Sequence, residues 1–193
     1  MVLVIDTSSA CSAVAVLSEE RAVVRESVRA AGREDELRRQ VLELVSPAEL
    51  SRVAVAAGPG SFTGIRVGAA YGLGLALGKG IPIHRLPTLE LAARRARVPA
   101  TGLSEAGRGR VYFQAPGAAA QLGGPVDVPA SHPATGWLRE PTAAALRAAG
   151  VRLLDGVDLR SFAQAAAIVL ETAPEVPYGR LGLDYMQSFA VLR

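Results

Sequence analysis

Two segments of this chain combine residue types that could bind phosphate. In the first, Asp6 and Thr7 follow a short apolar run, and further hydroxyl-bearing residues come directly after them. An acid at the end of a buried strand could hold a metal-bound phosphate, or it could close a hairpin through Asx and serine turns. On these residues alone, the hairpin is the favoured interpretation.

The second segment is a glycine-rich loop between a predicted strand and a predicted helix, which is where α/β proteins place phosphate-binding turns. Its residues are Gly58, Pro59, Gly60, Ser61, Phe62, Thr63, Gly64, Ile65 and Arg66. The glycines are spaced one residue away from the dinucleotide-binding fingerprint, and no Lys-Ser or Lys-Thr pair follows them as in a P-loop. The loop therefore favours a tight turn in which Ser61 or Thr63 caps the next helix.

The usual catalytic and metal-binding sets do not occur in the sequence. His84 and His132 lie far apart, no Gly-x-Ser-x-Gly segment is present, and Cys11 is the only cysteine. A helical two-histidine metal site, a thiolate cluster and an internal disulfide therefore have no candidate residues. We predict that this chain has no metal site and no catalytic residue.

The composition is that of a folded globular domain, with 193 residues of which 50% are hydrophobic and 20% charged. The 21 cationic residues face 18 acids and are scattered, which does not favour a dedicated nucleic-acid binder. The longest apolar stretch, Val67 to Gly78, is shorter than the roughly 20 residues that a membrane helix needs. The first residues do not have the pattern of a secretory signal, so we expect a cytoplasmic protein without membrane contact.

Hydrophobic periodicity predicts an α/β protein. In the first half, apolar runs and helical spacing follow the order βββαβαβα, which favours a layered sheet with a parallel portion. The predicted strands there are 2–5, 12–17, 22–28, 52–57 and 81–84, and the predicted helices are 34–45, 65–78 and 88–96, the last with Thr88 as N-cap. The second half is less regular, with strands predicted at 100–103, 111–114 and 125–128 and helices at 142–149 and 158–172. A lobe boundary is predicted near Pro99.

The helix after the loop carries an unusual stripe of small residues, which recur every four positions: Gly64, Gly68, Gly72 and Ala76. Together with Gly74, the three glycines of this stripe oppose helix formation by about 3 to 4 kcal/mol relative to alanine. Two kinds of packing could offset that cost. The stripe could lie on the protein's own sheet, or it could face a helix of another protein, with larger side chains on the adjoining ridge: Val67, Tyr71 and Leu75. The sequence leaves both open.

Four runs of the sequence together resemble the bacterial TsaB (YeaZ) family. They are VLVIDTSSACSAVAVL at the start, GPGSFTGIRVG at 58–68, LPTLELAA at 86–93 and GRGRVYFQA at 107–115, so that the resemblance covers residues 1 to about 115. It implies an actin-like, sugar-kinase-like α/β fold of two related lobes, with a second lobe that is trimmed. The corresponding domains would be 1–98 and 99–193.

The resemblance also implies a function. Members of this family are non-catalytic partners of the TsaD enzyme, which forms threonylcarbamoyladenosine in tRNA, and a TsaE ATPase joins them. The helix over 65–78 becomes the candidate TsaD-facing surface, and a free chain would pair with itself. Asp6 and Thr7 would lie at a degenerate nucleotide site, so no cofactor is expected, with ATP only at a partner interface and tRNA reached through the complex. Two alternatives stay open: a phosphotransferase that uses Asp6 and the loop, and a peptidase.

Overall fold

The computed structural model describes residues 1–31 and 34–186, which form a mixed α/β structure with two sheets. In chain order the elements are β1 (Val2–Asp6), β2 (Cys11–Leu17), β3 (Val23–Ala30), α1 (Glu34–Leu44), β4 (Arg52–Ala56), α2 (Phe62–Lys79), β5 (Ile83–Leu86), α3 (Thr88–Arg95), β6 (Thr101–Gly107), β7 (Arg110–Gln114), β8 (Gln121–Gly123), β9 (Ala134–Thr135), α4 (Glu140–Ala148), α5 (Phe162–Leu170) and β10 (Glu175–Val176).

The first sheet has six strands in the order β10-β5-β4-β1-β2-β3. Strands β1, β4 and β5 run parallel, whereas β1, β2 and β3 form an antiparallel meander, with Ile5 opposite Val14 on one side and Val55 on the other. All five residues of β1 are buried, because helices cover both faces of the sheet. The predicted meander and parallel portion are confirmed.

Each face of this sheet has its own helices and its own core. Val2 and Val4 of β1 pack with α3 and α5, while Leu3 and Ile5 point to the opposite face and pack with α1 and α2. The alternation follows from the period of two in a strand. Beneath α1, the fully buried Gln40 accepts a hydrogen bond from Ser12 Oγ and donates one to Ser27 O, both 2.8 Å long. Through these hydrogen bonds the Gln40 amide connects α1 to β2 and β3. This role of Gln40 was not predicted from the sequence.

The second sheet has four strands in the order β8-β7-β6-β9, and its core includes Leu103, Phe113 and Leu146. The strand predicted at 125–128 is wrong, since residues Pro125–Asp127 form a 3₁₀ turn. Proline fixes φ and has no N–H to donate to a neighbouring strand. The N–H of Gly124 donates to the Asp127 carboxylate at 2.7 Å, a hydrogen bond within the turn.

Several predicted boundaries also need correction, since α2 begins at Phe62 and α4 at Glu140, both earlier than predicted. Strand β5 begins at Ile83, two residues later than predicted, and the helix predicted at 158–172 is confined to α5, which Ser161 caps by accepting the N–H of Gln164. Thr88 is not an N-cap. It is the first residue of α3, and its hydroxyl accepts the N–H of Gly58 at 3.0 Å.

The predicted division into 1–98 and 99–193 matches the two sheets only in part. Helix α5 packs on the first sheet, and β10 extends that sheet by pairing antiparallel with β5. The chain therefore builds the second sheet after Pro99 and then returns to the first.

Candidate partner surface and interlobe cleft

The inner stripe of helix α2, defined as Gly64, Gly68, Gly72 and Ala76, lies directly on the protein's own sheet. A Cβ on Gly64 would lie 1.9 Å from the carbonyl oxygen of Thr7, and one on Gly72 would lie 2.4 Å from a methyl group of Val55. Ala76 is fully buried. The sheet therefore fills the space that the glycines leave, and the prediction that this stripe faces a partner is wrong. The alternative, packing on the chain's own sheet, is what the structure shows.

The ridge beside the inner stripe is half-buried. Val67, Tyr71 and Leu75 all contact the core between α2 and the sheet, and burial raises the pKa of the Tyr71 hydroxyl. Each of the three keeps part of its surface exposed. Their contact with a partner stays a prediction.

The opposite side of α2 carries a second row of small residues at the same spacing, which we call the outer stripe: Ala70, Gly74 and Gly78. A Cβ on Gly74 or Gly78 would meet no atom within 4 Å, so internal packing does not require glycine at either position. Leu77, beside the stripe, is 52% exposed. This row was not predicted, although its residues recur every four positions in the sequence as those of the inner stripe do.

The glycine-rich loop connects β4 to α2 and also contacts the turn after β1. Gly60 leaves room for Ser8, whose carbonyl oxygen would lie 2.4 Å from a Cβ there and accepts the N–H of Ser61 at 2.7 Å. The Ser61 hydroxyl in turn accepts the N–H of Gly64, which confirms the predicted helix cap. Gly58 has φ +101°, a conformation that glycine adopts without strain, and precedes a cis peptide bond to Pro59. The loop thus holds α2 against β1.

Residues 182–185 pass the carboxyl ends of β4 and β5 and reach the first turn of α2. The backbone N–H of Asp184 donates to Ala57 O at 2.8 Å, and its carboxylate pairs with Arg85. Beyond it, Arg66 Nε donates to the Tyr185 hydroxyl at 3.0 Å and the Arg66 guanidinium lies 3.7 Å from the centre of the Phe62 ring. Two side chains of the sequence motif, Phe62 and Arg66, therefore hold this C-terminal segment.

The Asp6 side chain stabilises the turn between β1 and β2, whereas the Thr7 side chain bonds to helix α2. The Asp6 side chain is 3% exposed, and its Oδ1 accepts the N–H of Ser8 at 2.8 Å in an Asx turn. Thr7 Oγ1 donates to Gly64 O at 2.6 Å. Neither residue lines the large cleft described below. Among residues 1–31 and 34–186, no three His, Cys, Asp or Glu side chains are grouped to hold a metal ion.

The buried Asp6 carboxyl predicts a pH dependence of stability. Burial raises its pKa above the ordinary value of 3.8, although the Ser8 hydrogen bonds and the charge of Arg95 partly oppose this. Between the unfolded and the folded pKa the folded state binds more protons, so the free energy of unfolding falls as pH rises through this range. Asp6→Asn keeps an oxygen acceptor for Ser8 and cannot ionise. We expect urea unfolding between pH 4 and 8 to show a smaller decline for the variant; an unchanged slope would contradict this.

A large cleft lies between loops of the two sheets. Its volume is about 600 Å³. One wall comes from the turn after β1 and the first turn of α2, and the other from the β6–β7 hairpin and the start of α4. Residues that line it include Ser8, Ser9, Ser61, Thr63, Glu105, Arg108, Arg110, Arg139 and Asp184. No local pattern in the sequence predicted that these segments meet.

Both histidines, His84 and His132, lie outside this cleft. His84 on β5 contacts Ala173 O through Nδ1 at 3.2 Å, and His132 contacts the neighbouring Ser131 hydroxyl at 3.1 Å. Cys11 is free and partly buried, and burial raises the pKa of its thiol. Within the described residues, no helix has the length and hydropathy to cross a membrane.

Comparisons with known proteins agree with this architecture. A family model described as TsaD, tRNA N6-adenosine threonylcarbamoyltransferase, matches residues 38–132. The tRNA threonylcarbamoyladenosine biosynthesis protein TsaB of Bacillus subtilis (strain 168) is 33% identical over 122 residues, which cover 58% of this chain and 52% of that protein. The chain thus spans about half the length of this curated relative.

Two solved structures share the fold over nearly the whole chain. YeaZ from Pseudomonas aeruginosa superposes with a TM-score of 0.72 at 19% identity, and the match covers 96% of this chain and 99% of that one. A second structure, described as an uncharacterized protein with similarity to peptidase YEAZ from Pseudomonas aeruginosa, gives 0.71 at 21% identity with the same coverage.

The class of protein follows from the fold and these matches: this is an actin-like α/β fold of the kind in which TsaD-type domains are built. Within that class, the chain is similar to proteins named TsaB and YeaZ. Both the predicted fold class and the resemblance are confirmed.

Proposed function

We propose that this chain is a non-catalytic subunit of the system that forms threonylcarbamoyladenosine in tRNA, where it binds and supports a TsaD-type enzyme. The match to TsaB of Bacillus subtilis and the fold shared with the YeaZ structures support the pathway. In this proposal the chain works in the cytoplasm, holds no cofactor of its own and reaches tRNA through its partner, with ATP bound only at an interface of the complex. A TsaE-like ATPase is a further partner.

The outer stripe of α2 is the observation that carries the partner role. A glycine inside a helix costs about 0.8 to 1 kcal/mol relative to alanine, and at Gly74 no contact within the chain offsets this cost. A helix of another protein could do so, because a side-chain-free position lets two backbones approach closely. The exposed Leu77 next to the stripe supplies apolar surface for the same contact.

The neighbouring elements extend this surface. Helix α1 packs beside α2 and exposes Leu42, which is 44% accessible. At the other end of α2, Arg66 with Phe62 forms a polar and aromatic edge, the combination that is enriched at protein interfaces. In the absence of the enzyme, the same surface would pair with a second copy of the chain.

The phosphotransferase alternative finds no support in the site geometry. The Asp6 carboxylate is buried and engaged by the Ser8 N–H, so it is not placed to hold a metal-bound phosphate in the cleft. We therefore propose a binding function and not an enzymatic one.

Binding can be tested with purified full-length proteins. The chain and the TsaD of the same organism are mixed at micromolar concentration, and the mass of the product is measured by size-exclusion chromatography with light scattering. We expect a species with the summed mass of the two chains. Separate species at this concentration would contradict the proposal, as would transfer of a threonylcarbamoyl group to tRNA by this chain without TsaD.

A further inference from the structure

We propose that residues 182–185, here called the C-terminal strap, cover one end of the partner surface of α2, and that the Tyr185 ring leaves this surface when a partner binds. An aromatic side chain of the partner would then take the place of that ring. This inference rests on the proposed function, because it concerns the same surface, and it names a contact within the chain that the partner has to replace.

The strap and the outer stripe occupy the same row of α2. Phe62 and Arg66 precede Ala70 at the four-residue spacing of the outer stripe, so positions 62, 66, 70, 74 and 78 form one continuous row, and all five are exposed. Tyr185 contacts the first two members of this row. A partner helix that lies along the row would therefore meet the Tyr185 side chain.

The base of the strap is held by the ends of β4 and β5. The Asp184 N–H donates to Ala57 O at 2.8 Å. Arg85 Nε donates to Gly182 O at 2.8 Å, and the Arg85 guanidinium also pairs with the Asp184 carboxylate. None of these bonds involves α2, so the base can stay in place when the Tyr185 side chain moves.

The tip of the strap, Tyr185, contacts α2 through its side chain. Its hydroxyl accepts a hydrogen bond from Arg66 Nε at 3.0 Å, and its ring centre lies 5.3 Å from that of Phe62. Tyr185 is nevertheless 42% exposed and Phe62 38%. Contacts between such exposed groups are weak, because water competes for both partners. The tip can therefore leave α2 while the base of the strap stays bound.

Arg66 and Phe62 form a platform that does not require the strap. They lie one turn apart on α2, and the Arg66 guanidinium is 3.7 Å from the centre of the Phe62 ring. Arginine stacks on aromatic faces and donates hydrogen bonds in its own plane, so the platform suits an aromatic ring that carries an oxygen, as Tyr185 does. The partner that fits this row is a helix that presents a tyrosine beside its own small residues.

The test measures the affinity of the full-length chain for the TsaD-type protein of the same organism by calorimetry. We expect Tyr185→Ala to bind about fivefold more tightly than the wild type, because no ring has to be displaced. Tyr185→Phe loses only the hydroxyl and should lie between the two. Arg66→Gln should bind about tenfold more weakly, because the platform for the partner's ring is lost. The control is Tyr178→Phe, which removes a hydroxyl that bonds to Ile81 O in the core beneath α2 and should leave the affinity unchanged.

A second measurement follows the strap itself. The four tyrosines are labelled with 3-fluorotyrosine, and the Tyr185 resonance in the ¹⁹F spectrum is assigned by its loss in Tyr185→Phe. In the free chain, Arg66→Gln should move this resonance toward the position of a solvent-exposed tyrosine. Addition of TsaD to the wild-type chain should move it in the same direction, since the ring is released.

Two results would overturn the strap proposal and leave the proposed function intact. One is an affinity of Tyr185→Ala for TsaD that is equal to or weaker than that of the wild type. The other is a Tyr185 resonance that becomes more protected from solvent in the complex, which would make Tyr185 a part of the interface. If neither the wild type nor Tyr185→Ala binds TsaD, the proposed function fails and the strap proposal fails with it, whereas binding by Tyr185→Ala alone would support both.

Discussion

Gly64→Ala is expected to lower the free energy of unfolding by about 3 kcal/mol or more, the upper range for overpacking a core. The added Cβ would lie 1.9 Å from the carbonyl oxygen of Thr7, and this is a backbone atom that cannot rotate away. The helix would have to move off β1, which would also break the hydrogen bond from Thr7 Oγ1 to Gly64 O. Urea unfolding followed by circular dichroism measures the effect.

The matched control is Gly74→Ala, which adds the same methyl group to the same helix on its exposed side. No atom lies within 4 Å of that Cβ, so the helix propensity of alanine should raise the free energy of unfolding by about 0.8 kcal/mol. Should Gly64→Ala prove too unstable to purify, Gly72→Ala, which meets a Val55 methyl group at 2.4 Å, provides an intermediate case. A Gly64→Ala chain as stable as the wild type would contradict the inner-stripe packing.

Gly74→Leu is expected to weaken binding to a TsaD-type partner at least 100-fold, equivalent to about 2.7 kcal/mol. The leucine would separate the two helix backbones at the point where the outer stripe lets them approach. In the monomeric chain the leucine side chain would project into open space, so the stability of the monomer should not fall. Affinity is measured by calorimetry with TsaD, and stability by urea unfolding of the same preparation.

Ala144→Leu on α4 provides the control for this variant, since it places the same exposed leucine on a helix of the second lobe. It should bind TsaD as the wild type does. Wild-type affinity in Gly74→Leu would move the partner surface away from the outer stripe, and equal loss in both variants would indicate a non-specific effect of the leucine.

The first-lobe elements were predictable because each has a strong local signal. Strand β1 is a continuous apolar run because it is buried on both faces of the sheet. The start of α2 is marked by Ser61, whose hydroxyl caps the helix through a local hydrogen bond that does not depend on tertiary packing. The second half offered weaker signals. Strands β9 and β10 have two residues each, and only hydrogen bonds to distant strands define them.

The candidate sites depended on contacts that a single segment cannot encode. The cleft combines residues from five separate regions of the chain, and Arg108 and Ser8 line the same cleft only when the two sheets pack. The Asp6 carboxyl could be assigned to the hairpin only from its burial and its bond to Ser8.

By itself, the sequence determined that α2 is a helix with small residues at four-residue spacing, because helical periodicity is a local property of the chain. It did not determine which small-residue row is covered. Tertiary structure decided this, since the β1–β4 sheet lies against Gly64, Gly68 and Gly72 and leaves Gly74 exposed. Both rows satisfy the same local rule, and only the atoms opposite each row distinguish an internal contact from a surface available to another protein.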